Sequence, residues 1–176
     1  MTLLTTPCRI YPATLSDLEQ LSEVLAHSFY APAGIQGLFF PMQKFSIQQD
    51  LQQRLRARQQ GYCCLAAWAG SHLVGTLEIS LRKLRAVPGQ NRQPYISNLA
   101  VLPRWRKQGI AAELMQGAEG IVQVWGYRRL HLHVLENNTV ARRLYQKLYY
   151  QVLSTPPDPL EWLGCPRQLL LYKVLP

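Results

Sequence analysis

The stretch from Tyr95 to Ala111 constrains this chain more than any other. Tyr95 to Val101 reads as a strand, Pro103 stops it, and Arg104, Arg106 and Lys107 crowd together before Gly109, after which a helix follows. A strand that passes through a basic turn into a helix makes an anion site. The first N–H groups of a helix have no partner inside it and stand at the positive end of its dipole. Gly109 has no side chain to keep a diphosphate from the main chain, and Arg106 and Lys107 add charge.

The elements around this segment follow from periodicity. Ser16-Asp17-Leu18-Glu19 has capping-box spacing, so a helix is expected to begin there, run through Leu18, Leu21, Leu25 and Phe29, and end before Pro32 and Gly34. Gly34 to Phe45, broken by Gly37 and Pro41, reads as a covered loop, and a second helix is expected over Ile47–Gln59. From Tyr62 the period changes to two. Tyr62–Trp68 and His72–Arg82 then form a hairpin around Gly70-Ser71. In its second strand Leu73, Gly75, Leu77, Ile79 and Leu81 share one face, and Thr76, Glu78 and Ser80 the other. Beyond Gly109, the stripe Ile110, Leu114, Ala118, Ile121, Val122 and Trp125 predicts a helix that Gly126 ends. A strand over Arg128–Leu135, a helix over Thr139–Leu148 and strands over Tyr150–Leu153 and Arg167–Val174 complete the order. A chain of 176 residues closes one core more comfortably than two, so residues 1–176 are expected to form a single domain.

Composition narrows the partners. The formal charge of +9 favours acidic ones, a phosphorylated cofactor among them. No run approaches the roughly 18 apolar residues of a membrane span, and Met1 to Ile10 does not read as a secretory signal. Cys8, Cys63, Cys64 and Cys165 lack metal-ligand spacing. They are expected to be reduced and structural, in a cytoplasmic protein without a metal.

Arg106-Lys107-Gln108-Gly109-Ile110-Ala111 resembles the Arg/Gln-x-x-Gly-x-Gly/Ala signature of the GNAT superfamily of N-acetyltransferases. Leu99-Ala100-Val101 and Pro103 before it are similar to the family's flank. A second block, Asn138-Thr139-Val140-Ala141-Arg142-Arg143-Leu144-Tyr145, resembles its Asn-x-x-Ala-x-x-Leu-Tyr run. One departure follows, since the family continues Leu-Gly-Phe and this chain has Leu148-Tyr149-Tyr150. The resemblance covers about Val74 to Val152. It implies an α/β fold with a mixed, mostly antiparallel sheet, splayed to admit CoA and flanked by about four helices. It further implies acetyl-CoA as cosubstrate. Leu99, Ala100 and Val101 would bond the pantetheine arm through their main chain, while Arg106, Lys107, Gln108, Gly109, Ile110, Ala111 and Ala112 hold the pyrophosphate. Asn138, Ala141 and Tyr145 would also contact the cofactor, Asn138 and Tyr145 near the thioester. The Ser-Asn-Leu-Ala-Val stretch and the histidine before the Asn pair are similar to plastid and cyanobacterial members, some of which acetylate proteins at lysines and N-termini.

The chemistry asks for three functions. An amine of pKa near 10 must lose a proton before it attacks a thioester. Candidate bases are His133, which shares its strand face with His131, and Glu78; Ser97 and Asn98 could instead hold a water. The oxyanion formed by attack needs a donor, expected at a main-chain N–H near Val101. The departing thiolate needs a proton, and Tyr145 resembles the family's general acid. The acceptor is expected between the Pro32 to Phe45 segment and the Pro156 to Pro166 loop, against Leu38, Phe39, Phe40, Tyr149, Trp162 and Leu163, with Asp158 and Glu161 the nearest acidic residues. That lining disfavours a polyamine and suits a peptide N-terminus, a protein lysine or a hydrophobic arylalkylamine. A non-catalytic acyl-CoA sensor would keep the basic turn without needing Tyr145. A nucleic-acid binder is prompted by the charge and the nine tyrosines, but no helix-turn-helix, zinc or stacking signature appears. The expected state is a monomer or homodimer with no nucleic-acid or membrane partner.

Overall fold

The computed structural model describes residues 8–29, 40–57, 60–84, 86–87, 91–153 and 167–176. Their elements run β1 (Cys8–Pro12), α1 (Leu18–Phe29), α2 (Phe40–Ala57), β2 (Tyr62–Ala69), β3 (His72–Arg82), β4 (Gln93–Val101), α3 (Ile110–Val124), β5 (Arg129–Leu135), α4 (Thr139–Lys147), β6 (Gln151–Val152) and β7 (Gln168–Val174). The seven strands follow the order β1-β2-β3-β4-β5-β7-β6. The fold is α/β, with a mixed, mostly antiparallel sheet and four α-helices among the described residues. The chain divides into two compact units, residues 1–79 with 98–118, and residues 80–97 with 119–176.

The first unit packs α1 and α2 over the hairpin strands. Leu18, Leu21, Val24 and Leu25 from α1 and Leu51 from α2 meet Cys64, Ala66, Leu73 and Ala100. Full burial of each such leucine stabilises the unit by roughly 1.5–3 kcal/mol. Gly75 permits close packing here: a Cβ on it would stand 3.1 Å from the Ala100 carbonyl oxygen and 3.3 Å from Leu114 Cδ1. Two helix starts differ from the sequence reading. A 3₁₀ turn over Leu15–Asp17 precedes α1, and the cap falls two residues earlier, at Thr14, with Asp17 Oδ2 accepting from Thr14 N–H at 2.8 Å. Helix α2 begins at Phe40, seven residues before Ile47, so Phe40 to Phe45 is helical and not loop. Pro41 falls in its first turn, where a missing N–H removes no helical bond.

The face of β3 read as polar is also covered. Thr76 is 1% exposed and Glu78 2%, because their polar atoms are bonded internally. Thr76 Oγ1 donates to the Leu65 carbonyl at 2.9 Å.

In the second unit β5 pairs antiparallel with β7 from Arg129↔Val174 to Leu135↔Gln168, and β7 pairs with β6. Strand β5 pairs parallel with β4 at Tyr95↔His131 and Ile96↔Leu132. Helix α4 is capped by Asn138, whose Oδ1 accepts from Ala141 N–H at 3.1 Å. It ends in a Schellman motif, with Tyr149 N–H donating to Gln146 O and Tyr150 N–H to Tyr145 O. Tyr149 holds the left-handed position of that motif at φ 65°. Helix α3 ends the same way, but there Gly126 takes the position, at φ 81°. The buried Tyr150 donates to Glu119 at 3.2 Å, and Glu119 pairs with Lys173 at 2.7 Å.

Candidate functional site

In the first unit Leu99, Ala100 and Val101 close strand β4, past the pairing of Ile96 with Leu132 of β5. The Leu102 N–H donates to Val74 O at 2.9 Å, which holds the strand end to β3. A 3₁₀ turn over Pro103–Trp105 follows, and Arg106 Nε reaches back to Val101 O at 3.0 Å. Lys107 and Gly109 both take positive φ, 61° and 88°. This double reversal leads the chain into α3 with Arg104, Arg106, Lys107, Gln108 and Gly109 exposed. The first carbonyl used by α3 is that of Gly109, which accepts from Ala112 and Glu113. The N–H groups of Ile110 and Ala111 therefore have no partner within the helix. Ile110 anchors the turn in the core, while Ala111 and Ala112 are half-buried. Two cations and unpartnered first-turn amides fit an extended diphosphate.

Glu78 lies in the same unit with three donors on its carboxylate. Asn98 Nδ2 donates to Oε1 at 2.6 Å, Arg54 Nη2 to Oε1 at 3.2 Å and Tyr62 Oη to Oε2 at 2.8 Å. Arg54 Nε stands 2.9 Å from Oε2, close enough for an ion pair although its N–H is not aimed at the oxygen. Burial pulls the Arg54 pKa down, but Glu78 and the ion-paired Asp50 outweigh it and hold the guanidinium charged. Burial, then the Glu78 carboxylate, push the Tyr62 phenol up, so it remains a donor. The cluster is a compensated anion whose two oxygens accept three hydrogen bonds.

The second unit gathers His133, Tyr95 and Arg82. Tyr95 Oη is 3.0 Å from His133 Nδ1, and the Arg82 guanidinium stacks 4.5 Å over the Tyr95 ring. His131 and His133 share one face of β5, as alternation requires, yet differ in setting. His131 is 2% exposed, with Nδ1 3.3 Å from the Pro94 carbonyl, and is the core histidine of the pair. His133 is exposed. Partial enclosure of its ring and then the Arg82 charge lower its pKa, so it is neutral at pH 7. Tyr145 on α4 is buried, its ring tilted against Tyr150 at 6.0 Å. Burial, then Tyr95, push its phenol up to about 12. Asn138 is exposed at the α4 cap and Ala141 half-buried one turn on.

Sequence reasoning passed over Tyr95, Arg82, Arg54 and Tyr62. The signal for Tyr95 was its place opposite the histidine strand. Arg54 and Tyr62 belong to elements remote in sequence from Glu78, and nothing local announces that grouping. Of the expected acceptor lining, Leu38, Phe39, Trp162, Leu163, Asp158, Glu161 and the Phe40 side chain lie outside the described residues, as does Cys165. Tyr149 is described and is 81% exposed. Cys8, Cys63 and Cys64 are free thiols.

Residues 20–150 match the model of the acetyltransferase (GNAT) family. The chloroplastic GCN5-related N-acetyltransferase 10 of Arabidopsis thaliana is 28% identical over 174 residues, covering 89% of this chain and 67% of that protein. The chloroplastic GCN5-related N-acetyltransferase 6 of the same plant is 33% identical over 101 residues, 47% of this chain and 35% of that protein. The N-alpha-acetyltransferase daf-31 of Caenorhabditis elegans is 30% identical over 91 residues, 51% of this chain and 50% of that protein. The chain thus spans about a third to two thirds of these relatives' lengths. Among solved structures, the PaiA N-acetyltransferase from Thermoplasma acidophilum in complex with coenzyme A superposes with a TM-score of 0.72 at 22% identity, over 96% of this chain and 99% of that one. That likeness shows the fold.

Proposed function

This chain belongs to the acetyltransferase (GNAT) family and is an acetyl-CoA-dependent N-acetyltransferase in its general class, and on that premise we propose that its acceptor is the α-amino group of a peptide or protein N-terminus. The observation that carries this reading is the exposed, neutral His133 held at Nδ1 by Tyr95. In the tautomer that donates Nδ1–H to the phenol oxygen, Nε2 keeps its lone pair and can take the amine's proton. An imidazole below its usual pKa of about 6.5 is a weak base, and the acceptor must suit it. An α-amine of pKa about 8 has roughly a tenth of its population neutral at pH 7, whereas a lysine of about 10.4 has under a thousandth. The difference is worth about 3 kcal/mol in favour of the α-amine.

The remaining roles follow the two units. In the first, the amides opening α3 with Arg106 and Lys107 take the diphosphate of the donor, and Leu99 to Val101 its pantetheine arm. The neutral amine attacks the thioester carbonyl, a C–N bond forms, and the negative charge on oxygen is met by a main-chain donor near Val101. The C–S bond then breaks, and the thiolate leaves with the Tyr145 hydroxyl as hydrogen-bond donor. The Glu78 charge is already met by Arg54, which leaves no free carboxylate there for a multivalent cation such as a polyamine. The similarity to a protein named as an N-alpha-acetyltransferase points the same way. Residues 1–176 act in this reading as one catalytic domain.

The test uses paired peptides, one with a free N-terminus and no lysine, the other N-terminally blocked with a single lysine. Thiol release from acetyl-CoA is expected to give a kcat/KM at least about tenfold higher for the free N-terminus, below the ceiling set by the difference in amine pKa. Equal or faster turnover of the lysine peptide would overturn the N-terminal assignment.

A further inference from the structure

Asn98 interrupts β4 with a left-handed backbone, φ 54°, immediately before Leu99, Ala100 and Val101. Non-glycine residues rarely hold this conformation, and asparagine does so more readily than most. Here the side chain is fixed as well, since its amide donates to Glu78 Oε1 at 2.6 Å. The other partners of that carboxylate, Arg54 on α2 and Tyr62 on β2, fix Glu78 in turn. We propose that Glu78 is a positioning residue for acetyl-CoA, holding Asn98 in its left-handed turn so that Leu99 to Val101 present their main chain to the pantetheine arm. The inference rests on the reading of Leu99 to Val101 as the donor strand. It gives Glu78 a role other than proton acceptor: both its oxygens already accept hydrogen bonds, and the residue is 2% exposed.

The turn distinguishes a clamp from a base or a bulk core contact, because glycine holds positive φ without help. Acetyl-CoA affinity by calorimetry and kcat and KM across pH are measured for the wild type, Asn98→Ala, Asn98→Gly, Glu78→Gln and the double variant Glu78→Gln with Asn98→Gly. Asn98→Ala is expected to weaken acetyl-CoA about tenfold with kcat within about threefold, and Asn98→Gly to recover most of that loss. Glu78→Gln removes the charge from the bond to Asn98 and is expected to weaken acetyl-CoA about three- to tenfold, with the acidic limb of the pH profile in place. In the Asn98→Gly background the same change is expected to add less than about twofold. Equal losses in Asn98→Ala and Asn98→Gly would overturn the clamp, as would an equal effect of Glu78→Gln in both backgrounds. Loss of kcat and of the acidic limb with binding intact in Glu78→Gln would make it a base instead. No heat with the wild type would overturn the donor-site reading itself, whereas normal wild-type binding with any of the other contrary results overturns this inference alone.

Discussion

The phenol oxygen of Tyr95 stands 3.0 Å from Nδ1 of His133, on strands whose parallel ladder sets Tyr95 opposite His131. The bond reaches two residues along β5, to the next histidine on the same face, and the two histidines do different work. His131 is sealed against the Pro94 carbonyl, and His133 keeps access to solvent.

If His133 takes the amine's proton, activity must fall where the imidazole is protonated. Partial enclosure and then Arg82 lower its pKa, so the acidic limb of kcat, measured at saturating acceptor so that the free amine's own pKa of about 8 does not enter, lies below about pH 6.5. His133→Gln is expected to remove that limb and lower turnover by about ten- to a hundredfold. Arg82→Gln takes away a cation that opposes protonation, so the limb moves to higher pH. A limb unmoved by both changes contradicts the assignment.

Tyr145 presents a different balance. A phenol raised to about 12 is a far weaker acid than a thiol of about 8.5, so full proton transfer to a free thiolate runs uphill by about 5 kcal/mol. Tyr145 therefore stabilises the departing sulfur as a hydrogen-bond donor more than it supplies a proton. Tyr145→Phe is expected to lower kcat at saturating acetyl-CoA by about tenfold, the lower end of what acid–base groups contribute. An unchanged kcat removes Tyr145 from the mechanism, and a loss beyond about a thousandfold restores it as an obligatory acid.

The substitution of tyrosine for glycine after Leu148 has a measurable cost. Tyr149 closes the α4 Schellman motif at φ 65°, where an L-residue carries roughly 1–2 kcal/mol of strain. Its side chain is 81% exposed and offers little packing in return. Tyr149→Gly relieves that strain but loosens the unfolded chain, so a net gain of about 0.5–1 kcal/mol is expected in denaturant unfolding. A loss of stability would mean that the exposed ring makes a contact worth more than the strain. The neighbouring Tyr150 does not share this problem, because the hydroxyl it has beyond a phenylalanine is bonded to Glu119.

Much of this was legible in the residues because the relevant signals are local. The strand, stop, basic turn and glycine from Tyr95 to Gly109 name their own conformations, and the observed positive φ of Gly109 follows from them. The start of α2 is not legible in the sequence because Pro41 breaks a helix interior but suits a first turn, and periodicity does not distinguish the two settings until the helix start is known. The burial of Glu78 was illegible for another reason. Alternation in β3 separates two faces, but which face is covered depends on contacts such as that of Arg54 on α2 with Glu78, a long-range contact with no sequence period. His133 and His131 are equivalent in the sequence pattern because they share a face, and the Pro94 carbonyl against one ring and the Tyr95 hydroxyl against the other separate them.

The central claim is that the amides opening α3, with Arg106 and Lys107, bind the diphosphate of acetyl-CoA. Its most direct test is calorimetric titration of the folded wild type and of the Arg106→Glu, Lys107→Glu double variant with acetyl-CoA and with CoA. The expected result is saturable binding of both ligands to the wild type, weakened at least about a hundredfold in the double variant, as fits two charge-assisted contacts turned repulsive. Absence of heat with the wild type, or equal affinity in the folded variant, would contradict it.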